Sequence, residues 1–177
     1  MVEADFIKLD VQGGELAVLQ GAQRVLSQCI GVEAEVEFSS MYVGQPLFGE
    51  VCDFLNESGL SFIDFVSINR WGRYDYDGYG QAVFGDALFL RSPEEFSAIT
   101  DDVAKHIRYM SVCTLYNRFD LIEKLIEVRS GEAFPDVVLS AIAELRQGFD
   151  KARRHAVRSG RVMSSRYGAG FSLHMLY

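Results

Sequence analysis

Between Asp5 and Leu26 the apolar residues change their spacing, and layered α/β architectures accommodate such a change most readily. Phe6, Ile7 and Leu9 form a short apolar run that ends at Asp10, and Gln12, Gly13 and Gly14 then supply turn chemistry. From Glu15 onward, Leu16, Leu19, Ala22, Val25 and Leu26 recur every three or four residues, which predicts one amphipathic helix. Ile30 to Phe38 returns to strict alternation. Its apolar residues Ile30, Val32, Ala34, Val36 and Phe38 are opposed by Glu33, Glu35 and Glu37, so the three glutamates share one face of a second strand.

Pro46 and the spacing of Leu47, Val51, Phe54 and Leu55 predict a further helix that stops near Gly59, a residue that tolerates positive φ. Ser61 to Ile68 and Gln81 to Arg91 are rich in aromatic and β-branched residues and read as strands. The order βαβαββ implies right-handed crossovers and a mostly parallel sheet. Its last two strands are expected to form an antiparallel hairpin around a loop at 69–80. Beyond Pro93 the pattern is helical, with a break near Asn117 and a new helix opening at Pro135 and running to about Arg158. Two regions are therefore expected: an α/β segment at 1–92, and a helical extension at 93–177 that ends in a basic, irregular tail.

Composition narrows the function classes. The formal net charge is −8, yet residues 151–177 hold six of the 17 Lys and Arg and no Asp or Glu. That leaves 11 basic against 25 acidic residues in 1–150, a balance of −14, and such an acidic body disfavours nucleic-acid binding. The basic segment from Lys151 to Arg166 either contacts an acidic partner or is a solvated helix that complements the body. No apolar run approaches the length of a membrane span, and no basic leader precedes Glu3 and Asp5, so no membrane partner is expected and the chain reads as cytoplasmic. Cys29, Cys52 and Cys113 are too scattered for a disulfide framework or a CxxC site and read as reduced. His106, His155 and His174 lack ligand spacing and read as surface residues, with no metal expected.

The block Asp5-Phe6-Ile7-Lys8-Leu9-Asp10-Val11-Gln12-Gly13-Gly14-Glu15-Leu16, continued by Val18, Leu19, Gly21 and Ala22, resembles a characteristic segment of the FkbM-family methyltransferases. Matches continue in the same order through Glu35-Val36-Glu37-Phe38, Tyr42, Gln45-Pro46-Leu47-Phe48, Phe54-Leu55, Gly59 and Gly85-Asp86-Ala87-Leu88-Phe89-Leu90, covering residues 5–91. The resemblance implies the C-terminal half of a class I, Rossmann-like methyltransferase sheet, with 5–11 as the family's fourth strand. It implies S-adenosyl-L-methionine as cofactor and O-methyl transfer to a hydroxyl of a sugar or natural product. The Gly-rich turn and acidic residue that hold the cofactor lie on the family's first three strands, for which Gly13-Gly14 is no substitute. The chain by itself is therefore expected to lack most of the cofactor site. A strand at 5–11 without its usual neighbour invites a homo-oligomer, a partner chain that supplies the missing half, or cover from the helices. The alternative is a non-catalytic interaction or oligomerisation module derived from a methyltransferase.

Methyl transfer to a hydroxyl needs an oriented acceptor and a base for its proton. Asp10, at the carboxyl end of a strand where open α/β sheets bind ligands, is one catalytic candidate and Glu37 is the other. Asp10 could equally bond the turn amides, and Glu37 could equally be paired to Lys or Arg. Glu15 and Glu35 are candidate substrate-binding residues, Glu15 having a structural alternative as complement to a helix dipole. Trp71 and Arg73 are two more, in a loop from Asn69 to Gly80 that is either a substrate lid or a plain hairpin loop. Asp10, Glu35 and Glu37 have the oxygen chemistry for Mg²⁺ but no supporting spacing, and no metal is expected there.

Overall fold

The computed structural model describes residues 3–72, 80–130 and 134–158, with 156–158 described by backbone only. Two compact units divide the chain, Met1–Glu95 and Phe96–Tyr177.

The first unit holds β1 (Phe6–Leu9), α1 (Glu15–Gly21), α2 (Gln23–Leu26), β2 (Gly31–Glu37), α3 (Phe48–Glu57), β3 (Ser61–Phe65), β4 (Asn69–Trp71) and β5 (Gln81–Leu90). These strands make one open, mixed sheet in the order β1-β2-β5-β3, with β4 also on β5. β1 and β2 pair in parallel, aligning Lys8 with Glu33. β5 inserts between β2 and β3 and runs against both, so it also aligns Glu35 with Asp86 and Glu37 with Phe84. The expectation of a mostly parallel sheet is corrected at the level of pairing. Four strands share one direction, but the insertion of β5 leaves β1–β2 as the parallel pair beside three antiparallel ones.

Two further differences have local causes. The single helix expected from Leu16 to Leu26 is two, because the chain leaves helical geometry at Ala22 (φ −100°, ψ 11°) directly after Gly21, a poor helix former. Part of the loop expected at 69–80 is strand β4, since Asn69, Arg70 and Trp71 continue along β5 after a register shift. Gly59 ends α3 as expected, with φ +78°. A Cβ there would also lie 2.4 Å from Arg91 Nη1.

Period-two alternation divides the chemistry of the sheet. Ile7, Leu9, Val32, Ala34, Val36, Ala87 and Phe89 pack with Leu19 and Leu26 from α1 and α2 and with Val51 and Leu55 from α3. Each fully buried Leu in this layer contributes about 1.5–3 kcal/mol of transfer free energy. Phe48 of α3 meets Phe38, Phe62 and Phe65 with ring centroids 6.1, 5.2 and 5.1 Å away. The other face carries Lys8, Glu33, Glu35, Glu37 and Asp86. Arg91 closes the end of β5, donating to the backbone carbonyls of Leu26 at 2.7 Å and Ser58 at 3.2 Å.

The second unit is helical among its described residues. α4 (Pro93–Ile99) spans the boundary between the units, and α5 (Val103–Leu115), α6 (Phe119–Val128) and α7 (Asp136–Arg158) follow. Asp102 caps α5 by accepting the Ala104 N–H at 2.8 Å. The expected break near Asn117 is a residue with φ +57°, and the helix expected to open at Pro135 is described over Asp136–Arg158. The reading of His106 as a surface residue is corrected: it is fully buried, ringed by Phe96 at 5.7 Å and Phe134 at 6.4 Å. The i, i+3 and i, i+4 spacing puts it on the inward face of α5 with Tyr109, Met110 and Cys113. Lys151, Arg153, Arg154 and Arg158 of the basic segment lie on α7, and residues 159–177, with His174, lie outside the described residues. Cys29, Cys52 and Cys113 are free thiols, and burial pushes Cys29 up to about 11 and Cys113 up to about 12. Among the described residues no helix is long and apolar enough to cross a membrane.

Candidate functional site

The site is built where β1 and β2 end. After Leu9 the chain turns through Gln12 (φ +57°) and Gly13 (φ +95°) into α1. Glu15, the first residue of α1, turns its carboxylate back over this bend. Oε1 accepts the Val11 N–H at 2.7 Å and Oε2 accepts the Gly13 N–H at 2.9 Å. With 2% exposure and both oxygens on backbone donors, Glu15 fixes the turn.

Asp10 stands at the carboxyl end of β1, exposed, with Oδ1 accepting from Gln12 Nε2 at 2.9 Å. The same Gln12 nitrogen donates to Glu35 Oε2 at 3.1 Å. The left-handed turn at Gln12 thus ties together two carboxylates 25 positions apart in sequence. Burial raises the pKa of Glu35 above its ordinary value, and the neighbouring charges of Asp10, Glu15 and Asp86 raise it further.

Glu37 is the most strongly perturbed carboxylate of the group. It is 2% exposed, its Oε1 is buried without a hydrogen-bond partner, and burial first, then Glu15 and Glu35, push it up to about 7. The Lys or Arg pairing that was open for Glu37 goes to Glu33 instead. Lys8 is aligned with Glu33 across β1–β2, bonds it, and lies 3.8 Å from Asp86. That bond to Glu33 is the main reason the Lys8 pKa is raised. Asp86 is held by the Ser67 hydroxyl, which donates to it at 2.6 Å.

Gln45 is a site residue that residue-type reasoning passed over. Its Oε1 accepts the backbone N–H groups of Met41 at 3.1 Å and Tyr42 at 3.2 Å, and its Nε2 is buried without a partner. A Cβ on Gly13 would lie 2.7 Å from that nitrogen, so the loop after β2 packs directly on the turn after β1. The signal available in sequence was Gln45 within the motif Gln45-Pro46-Leu47-Phe48, but its burial depends on the fold.

Trp71 lies on β4 and is 57% exposed, so it is neither packed against the body nor part of a loop. Its partner across the ladder, Gln81, donates to Ser39 Oγ at 3.1 Å. Arg73 and the rest of the loop at 73–79 lie outside the described residues. Among the described residues no group of three His, Cys, Asp or Glu side chains has a metal-holding arrangement.

Residues 2–62 match the model of the Methyltransferase FkbM domain. That match covers the turn and the β1–β2 carboxylates described above, so this part of the chain is similar to a methyltransferase family. No curated protein and no solved structure matches the chain significantly.

Proposed function

We propose that residues 1–92 are the acceptor side of an S-adenosylmethionine-dependent methyltransferase domain of the FkbM type, built on part of a class I, Rossmann-like sheet. In this reading the acceptor is a hydroxyl of a sugar or natural product. The single observation that carries it is Glu37: a buried carboxylate with an unpartnered oxygen, pushed up to about 7, at the carboxyl end of a strand. A general base works best with a pKa near the working pH. Glu37 takes the proton of the acceptor hydroxyl as the oxygen becomes nucleophilic, and Asp10 and Glu35, joined through Gln12, accept hydrogen bonds from the rest of the acceptor. Glu15 is reassigned from substrate contact to positioning, because the turn amides occupy both its oxygens.

The described residues do not form a cradle for the cofactor. The amides of Val11 and Gly13 are committed to Glu15, and among the described residues no second glycine-paired turn joins a strand to a helix. Completion of that cradle by a further segment or a partner chain is part of the proposal.

Methyl transfer from labelled S-adenosylmethionine to a panel of hydroxylic glycans and natural products, by the chain together with the segment or partner chain that completes the cofactor cradle, tests the reading, with Glu37→Gln beside the wild type. The expected result is transfer that falls about 10²- to 10⁴-fold in the variant. Transfer unchanged by Glu37→Gln would remove the base assignment. No transfer to any acceptor, with no S-adenosylhomocysteine binding by calorimetry, from that completed assembly would favour the non-catalytic interaction module.

A further inference from the structure

Two side-chain atoms at the carboxyl ends of β1 and β2 are buried and lack partners: Glu37 Oε1 and Gln45 Nε2. Glu37 is 2% exposed and Gln45 9%. Burying such atoms unpaired is costly, and a bound ligand can offset that cost. The orientation of the Gln45 carboxamide is fixed, because a flipped amide would point its NH₂ at the N–H groups of Met41 and Tyr42. Nε2 is therefore the group turned toward Gly13, where the missing side chain leaves it room.

We propose, resting on the methyltransferase reading above, that Gln45 is a substrate-binding residue whose Nε2 donates a hydrogen bond to an oxygen of the methyl acceptor. Glu37 is an acceptor and Gln45 a donor. A group that satisfies Gln45 Nε2 must present a hydrogen-bond acceptor, as a hydroxyl oxygen does. The exposed aromatic ring of Tyr42, in the turn that Gln45 holds, gives a pyranose ring a face to stack on. Together these features favour a sugar over a flat, donor-poor acceptor.

The variant that isolates the donor is Gln45→Glu. Its carboxylate still accepts from Met41 and Tyr42, so the loop stays held, but the buried N–H group is gone. The probes are methyl α-glucoside and methyl α-mannoside, titrated into ¹⁵N-labelled protein. The Gln45 side-chain amide pair, assigned by its loss in Gln45→Glu, should shift saturably with at least one probe. The variant should bind that probe about tenfold or more weakly, with a backbone amide spectrum that shows the wild-type fold. Saturable shifts elsewhere with the Gln45 pair unmoved, binding equal in Gln45→Glu, or no shift with either probe would each overturn the proposal. The two readings fail separately. Glycoside binding at Gln45 without methyl transfer to any acceptor by the assembly that completes the cofactor cradle would sink the methyltransferase reading alone. Methyl transfer with an acceptor KM unchanged by Gln45→Glu would sink this inference alone.

Discussion

Glu15 Oε1 accepts the backbone N–H of Val11 at 2.7 Å, so the first residue of α1 holds the turn through which its own helix is entered. Its other oxygen does the same for Gly13. Glu15→Ala should therefore leave two buried-side amides without their charged acceptor and lower stability by about 2–4 kcal/mol. Urea unfolding of the two proteins checks this, and a loss below about 0.5 kcal/mol would mean that water replaces the carboxylate.

Glu37 gives the fold a specific pH dependence. Its folded pKa, about 7, is raised above the ordinary 4.5, so the fold favours the protonated form. Its contribution is fully present below about 4.5, is lost as pH rises from there to about 7, and stays lost above. The loss is on the order of 3 kcal/mol. Glu37→Gln should flatten this decline and be more stable than wild type at pH 8, while methyl transfer by the wild type rises with pH through about 7. Thermal melts from pH 4 to 8 test the first part, and equal slopes for both proteins would contradict it.

The coupling between Asp10 and Glu35 has its own signature. Asp10 is among the charges that raise the Glu35 pKa, after burial itself. Asp10→Asn should lower the Glu35 titration midpoint while sparing the fold, since Asp10 is exposed. Carboxyl ¹³C NMR reads this directly. A midpoint that stays in place would separate the two groups electrostatically.

Gly59 tests the packing around Arg91. At φ +78° a side chain is strained, and its Cβ would lie 2.4 Å from the guanidinium that bonds Leu26 and Ser58 carbonyls. Gly59→Ala should cost about 1–3 kcal/mol, more than backbone strain alone. Combining it with Arg91→Ala should give less than the sum of the two losses, measured by a double-mutant cycle.

Much of the fold was legible because it is local. The switch of period after Asp10 marked β1 and the helical stretch that follows it, the alternation in Ile30 to Phe38 marked β2, and Asn117 and Pro135 marked helix boundaries. The site was legible only in part. Asp10, Glu35 and Glu37 were nameable as carboxylates at strand ends, but the partners that distinguish them were not. Gln12, which bridges two of them, and Gln45, which leaves a donor unpaired, are ordinary glutamines until a long-range contact defines them. The burial of His106 was missed because a scattered histidine carries no local sign of the rings that surround it.

Alone, the sequence determined that three glutamates share one face of β2, because strand side chains repeat every two residues. Only the tertiary structure decided which of them is buried without a cation and pushed up to about 7. The β1–β2 register aligns Lys8 with Glu33, and no such cation is aligned with Glu37. Insertion of β5 beside β2 was likewise settled in three dimensions, since strand pairing is a choice among distant segments that periodicity does not encode.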